Sequence, residues 1–295
     1  MHVNSLPFAD LPRLAGFRRQ IRIVPEAARC TAAVADDFHD MALTITHDGA
    51  AITSLVSQTR RAPWTICGSA QARARASFTG LPLDAALAPS EKPSNCTHLY
   101  DLAVLAAAHA RDGAPLVYDV MVSDPVAGAV LAQVSRDGAP VWQWRLAGEM
   151  MQEPIMGTPL RDLRHWIATL DDAQAEAARI LQWACIMATA RGLGEITEDS
   201  TRMMALRCYA FSGEARSSPH DHTDNRRDFS LAGVMPQADA TPVLALAGRW
   251  PPNCCIFCRP CHGKKPFWPR LPLCLPPIAW INRVLAMCMW RKVYG

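Results

Sequence analysis

The sequence predicts an α+β fold: an antiparallel sheet built from two meanders, with helices packed against it and an irregular C-terminal tail. Three observations carry this. Two blocks of alternating apolar residues are each interrupted by an Asp-Gly pair, Asp48-Gly49 and Asp137-Gly138, the dipeptide that best closes a tight hairpin. Ala- and Leu-rich stretches with apolar residues at helical spacing follow each block. Beyond residue 231 regular periodicity is lost, and that last stretch holds ten of 23 prolines, four of nine tryptophans and six of 11 cysteines.

Taken in order, residues 1–20 read as an irregular lead-in containing Pro7 and Pro12. Strands are expected over 22–24, 30–34, 41–46 and 51–58, forming the first meander. A helix runs from Ser69 to Phe78 and stops at Gly80 and Pro82; a second runs from Thr97 to about Ala110 and ends at Asp112-Gly113. Ser69 and Thr97 offer N-cap chemistry. Leu99, Leu102, Leu105 and Ala106 share one face of the second helix and are core candidates. Strands over 117–122, 129–135 and 141–146 form the second meander. Thr158-Pro159 then opens a helical stretch to about Leu170, with proline at the first helical position. Asp171-Asp172 re-caps a long helix from Ala173 to Arg191, closed by Gly192, whose packing face is Ala177, Ile180, Leu181, Ala184 and Met187. The domain reading is therefore a lead-in over 1–20, an α+β domain over 21–230, and a basic, poorly ordered tail over 231–295.

Charge divides at the same place. Residues 231–295 carry eight Lys/Arg against one acid, Asp239, which leaves 22 basic and 26 acidic residues in 1–230. A slightly acidic body is a poor nucleic-acid surface, so no nucleic-acid partner is expected there. A protein partner or a small molecule remains open. The N-terminus has Asp10 and arginines before any apolar run, so no secretory signal is read and a reducing cytoplasm is expected, with free or metal-bound thiols. Residues 271–290 are apolar but are broken by Pro272, Pro276, Pro277, Asn282 and Arg283, so no membrane span is expected.

The residues that point to chemistry are two cysteines. Cys67 and Cys96 each stand where an extended segment gives way to a helix, and the positive field of a helix N-terminus favours the thiolate that binds metal or attacks an electrophile. With Asp40, His39 and His98 they form a candidate carboxylate, thiolate and imidazole set for zinc or iron. Against this stands the plain reading, with Cys67 and Cys96 as small buried hydrophobes and Asp36, Asp37 and Asp40 as turn or capping groups. A second reading makes Cys67 a catalytic nucleophile, with His98 or His39 as base and the N–H groups of Gly68 and Ser69 as oxyanion donors. A non-catalytic interaction domain is the third.

Other features read as structural. Arg60-Arg61 beside Trp64 is an anion-site candidate, but an arginine pair ending a strand is more often solvated edge protection. Trp142 and Trp144 share a strand face and belong to the core, and His109 belongs to the edge of the second helix. His220 and His222 have loop-like surroundings. In the tail, Cys255-x-x-Cys258-x-x-Cys261-His262, with Cys254 and Cys274 nearby, has ligand-like spacing but lacks the proline that directly follows the last cysteine of a ferredoxin run.

The motif order also carries a resemblance. Ala35-Asp36-Asp37-Phe38-His39-Asp40-Met41, Arg61-Ala62-Pro63-Trp64-Thr65-x-Cys67 and Asn95-Cys96-Thr97-His98-Leu99-Tyr100-Asp101-Leu102-Ala103 resemble a bacterial family of domains of unknown function, over about residues 15–230. That family's cysteine segment usually reads Thr-Cys-Pro-Gly-Ala, whereas this chain has Ile66-Cys67-Gly68-Ser69-Ala70. The resemblance implies a fold unit and a cytoplasmic bacterial setting, and no reaction. A weaker similarity is to the U-type iron–sulfur scaffold proteins. It rests on Asp40 before a strand, Cys67-Gly68-Ser69-Ala70 at a helix start, and Cys96 at another. The scaffold's first cysteine would fall on Phe38, and the histidine of its His-Cys pair on Asn95. Together these imply a metal- or iron–sulfur-related thiol module using Cys67 and Cys96.

Overall fold

A computed structural model describes residues 7–87, 94–192, 208–212 and 225–244. Eight strands form one antiparallel sheet: β1 (Gly16–Glu26), β2 (Arg29–Asp36), β3 (Asp40–His47), β4 (Ile52–Arg61), β5 (Leu116–Ser123), β6 (Val130–Arg136), β7 (Ala139–Ala147) and the two-residue β8 (Glu149–Met150). The order across the sheet is β4-β3-β2-β1-β5-β6-β7-β8. The two predicted meanders are therefore zipped side by side, with β1 pairing antiparallel to both β2 and β5. The Asp-Gly turns sit where the sequence places them. Asp137 and Gly138 both have positive φ (49° and 83°), the primed geometry whose twist matches the flanking strands. Asp48 Oδ1 accepts from the N–H groups of Ala50 and Ala51 to close the other hairpin.

Helices α1 (Ala70–Phe78), α2 (Thr97–Ala108), α3 (Arg164–Ile167) and α4 (Asp172–Ala188) cover one face of the sheet. Phe17, Ile21, Val34, Leu43, Tyr118 and Trp144 of the strands bury completely against Leu99, Leu102 and Ala106 of α2 and Ala177, Leu181 and Ala184 of α4. Each large apolar side chain so buried contributes roughly 1.5–3 kcal/mol. Asp171 Oδ1 accepts from Gln174 N at 2.9 Å and caps α4 as the sequence predicts. Three other predicted caps do not form: Thr97 is the first residue inside α2, whose cap position is Cys96 with no side-chain bond. Ser69 Oγ bonds back to Ile66 O, and Thr158-Pro159 leads into a separate turn, Leu160–Asp162, before the single helical turn of α3.

Two boundaries differ from expectation. The lead-in ends at Gly16, because β1 runs through Arg18 and Arg19 and is the central strand of the sheet. Composition also puts the tail's start at 231, yet the compact unit runs Met1–Leu246. Residues 238–243 cross the second face of the sheet, where Ala33, Ala35 and Ala42 are small enough to let Ala238 and Ala240 bury against them. Gln20 Oε1 accepts from Ala238 N, and Thr44 Oγ1 from Val243 N, so the segment's backbone is satisfied by strand side chains. His220, His222 and the cysteines from Cys254 to Cys288 lie outside the described residues. Among the described residues no helix is long and apolar enough to cross a membrane.

Candidate functional site

The β2–β3 hairpin, α2 and β1 meet at one end of the helix-covered face. Asp36 closes the hairpin: its Oδ1 accepts from the N–H groups of Phe38 and His39 at 2.8 and 2.7 Å and from His39 Nδ1 at 3.1 Å. Its Oδ2 accepts from Arg19 Nε and Nη2 at 2.9 and 2.6 Å, and both side chains of this ion pair are fully buried. Burial opposes ionisation of Asp36, but the charge of Arg19 and the imidazoles of His39 and His98 outweigh it and hold the carboxyl well below its usual range.

His98, in the first turn of α2, stacks on His39 with ring centroids 3.7 Å apart. Its Nε2 lies 3.3 Å from Arg19 Nη2. A guanidinium can only donate, so as a hydrogen bond this contact has Nε2 as the acceptor. Asp36, His39 and His98 bring one ligand atom each to within 4.8 Å of one another, all three buried. Trp183 of α4 completes the cluster, with the Arg19 guanidinium 4.2 Å from its ring and the His98 ring 5.0 Å away.

Arginines frame this cluster. Arg61 is buried and donates to the carbonyls of Asp36, Asp37 and His39, so it holds the hairpin turn instead of protecting a wet edge. Arg191, after α4, pairs with Asp37, Asp124 and Asp228 and ties the hairpin to the β5–β6 turn and the 228 segment.

The five predicted ligands divide. His39 and His98 come together, with Asp36 in place of Asp40. Asp40 is partly exposed and pairs with Arg60 Nε at 2.9 Å. Cys67 lies in the turn Thr65–Ser69 and Cys96 immediately precedes α2. Cys67 is within electrostatic reach of Cys96, and both are within reach of Cys208, a third thiol that the sequence reading left out. The predicted lowering of the thiol pKa by helix starts is reversed. Burial pushes Cys67 and Cys96 up to about 12; the N–H groups of Leu99 and His98 oppose this at Cys96 without prevailing. The charges acting most on Cys67 are other thiols, and no imidazole is among them.

Sequence reasoning missed Arg19 and Trp183 and took Asp36 as a turn group alone. A signal for Arg19 existed, since it occupies a core position in the alternation Phe17, Arg19, Ile21, Ile23. The molecule is thus an antiparallel α+β domain with a buried carboxylate, bis-imidazole and guanidinium cluster under its sheet. No protein-family model matches the chain, and no curated protein matches it.

Proposed function

We propose that this chain is a metal-binding module whose ligands are Asp36, His39 and His98, with Cys67 and Cys96 as neighbouring thiols. The convergence of three ligand atoms within 4.8 Å carries this reading. Two imidazoles and a carboxylate suit zinc or mononuclear iron better than an iron–sulfur cluster, which requires thiolates. The thiols hold their protons at neutral pH, so a thiophilic ion would have to displace them to recruit Cys67 or Cys96.

Arg19 is the resident cation of this group. It takes the Asp36 contacts and the His98 Nε2 lone pair that a metal ion would use. Loading therefore exchanges the guanidinium for the ion, and a neutral residue at position 19 strengthens metal binding. Elemental analysis of the anaerobically purified full chain, with Arg19→Met and His98→Ala, is the test. About one equivalent of zinc or iron that disappears in His98→Ala and is held more tightly in Arg19→Met supports the reading.

A second reading has its own observation. Asp36 already accepts five donors, which fills a carboxylate's capacity, and its charge is neutralised by Arg19. On that reading the cluster is a satisfied polar core, and the protein is a non-catalytic interaction domain. Absence of bound metal in both the wild type and Arg19→Met would select it.

A further inference from the structure

Three buried donors in and around this cluster have no acceptor among the described residues, Arg61 Nε at the hairpin and two beside α4. Arg19 presents its Nε and Nη2 to Asp36, which leaves Nη1 on the far side of the guanidinium, and Nη1 has no hydrogen-bond partner among the described residues. Trp183 Nε1 is likewise buried and unpartnered there, on the ring over which that guanidinium lies at 4.2 Å. A buried orphan donor is costly, so these two call for an explanation. Charge indicates what kind of acceptor fits. Arg19 is a permanently charged donor, so a charge-assisted bond to an anionic oxygen suits its free Nη1 better than a neutral acceptor does. Trp183 is only partly buried as a residue, which gives the spot an approach from the surface of α4.

We propose that Arg19 Nη1 and Trp183 Nε1 form a binding site for the carboxylate group of a small molecule. The two oxygens of one carboxylate accept from the two orphan donors, one of which carries the guanidinium charge. Phe17, 5.1 Å from the guanidinium, and Trp183 hold Arg19 in place before the ligand arrives, so little side-chain freedom is lost on binding. The site uses Arg19 in its present pairing with Asp36 and does not depend on a metal ion.

The experiment compares thermal midpoints of metal-free full-length protein in acetate, phosphate and chloride at matched ionic strength. Acetate is expected to raise the wild-type midpoint saturably above chloride. Trp183→Phe, which keeps the stacking ring and removes the donor, is expected to lose that rise. Equal midpoints in all three salts would overturn the proposal and leave one trapped water as the acceptor. A phosphate effect equal to that of acetate would overturn the assignment to a carboxylate. Should Trp183→Phe fail to fold, line broadening of 13C-labelled acetate by the wild type, reduced in Arg19→Lys, carries the test, and no broadening counts against it. Since metal is absent throughout, failure here is distinct from failure of the metal reading.

Discussion

Arg19 and Asp36 stand opposite each other in the β1–β2 register and meet as an ion pair with no solvent access to either side chain. Their relationship is unequal. Asp36 has three other donors around it, whereas among the described residues its carboxylate is the anionic partner of Arg19. Breaking a buried pair from one side typically costs about 3–5 kcal/mol, because the survivor is left charged and unpaired. Asp36→Ala should therefore be the worse change, since it strands the guanidinium and two hairpin N–H groups together. Arg19→Met leaves Asp36 with its hairpin donors and should lose roughly half as much. Urea denaturation of the two variants checks the order, and equal losses would contradict it.

His109, just after α2, donates to Asp112 Oδ2 at 2.6 Å and to Glu176 of α4 at 3.0 Å, and Glu176 also accepts from Tyr118 at 2.6 Å. Burial works against the imidazolium, but Glu176 and Asp112 outweigh it and raise its pKa to about 8. A folded-state pKa above the unfolded value means that the protonated form is held by the fold. The stabilisation is complete below about pH 6.5 and is lost as pH rises through 8. With solvent screening it amounts to about 1 kcal/mol. Tm should fall between pH 6.5 and 9 in the wild type and fall less in His109→Gln; parallel profiles would refute the link.

Much of this architecture is legible in the sequence because hairpins and amphipathic helices leave local signatures. The Asp-Gly turns, the four core positions of α2 and the Asp171 cap all follow from residues within a few places of one another. The central strand is not legible in that way. Arg18 and Arg19 interrupt its apolar alternation, and only pairing with Asp36, 17 positions away, makes an arginine acceptable in a core. The candidate site is half legible for the same reason. His39 and His98 are conspicuous polar residues near turns, but the choice of Asp36 over Asp40 depends on which carboxylate the hairpin turns inward. The thiols are misread because a helix start is a local feature, while their burial is set by packing around them.

Thiol reactivity should follow burial. Cys67 and Cys96 are buried with pKa values near 12, whereas Cys208 is only partly buried. Iodoacetamide at pH 7.5, followed by peptide mapping, should label Cys208 first and the other two only after denaturant is added. Fast labelling of Cys67 in the native protein would revive its reading as a nucleophile.

Gly16 opens β1 where the backbone of β5 comes closest. A Cβ there would lie 2.1 Å from Val122 O and 2.6 Å from Ser123 Cα, both backbone atoms that cannot swing away. Gly16→Ala should therefore push the two central strands apart and cost on the order of 2–4 kcal/mol, in the range of other overpacked sites. Gly49→Ala is a useful contrast, since no atom lies within 4 Å of its Cβ position and only its φ of 92° opposes the change. It should be the milder of the two in thermal denaturation.

The final expectation concerns where the fold ends. Ala238 and Ala240 bury against the alanines of β2 and β3, Val243 packs beside them, and Arg60 Nη2 donates to Asp239 O at 2.9 Å. Three small apolar groups and the two strand-facing N–H bonds together contribute roughly 2–4 kcal/mol. A chain ended at residue 230 should thus lose about that much stability and expose Ala33, Ala35 and Ala42 as a flat apolar strip. One ended at 246 keeps the whole of the first compact unit and is the reference for that loss. Because β2 and β3 are internal strands, the uncovered strip offers a face and not an edge, so the shorter chain should self-associate by face-to-face contact that weakens on dilution. Sedimentation of the two truncated chains separates these outcomes: identical behaviour would mean that residues 231–244 lie on the sheet without stabilising it.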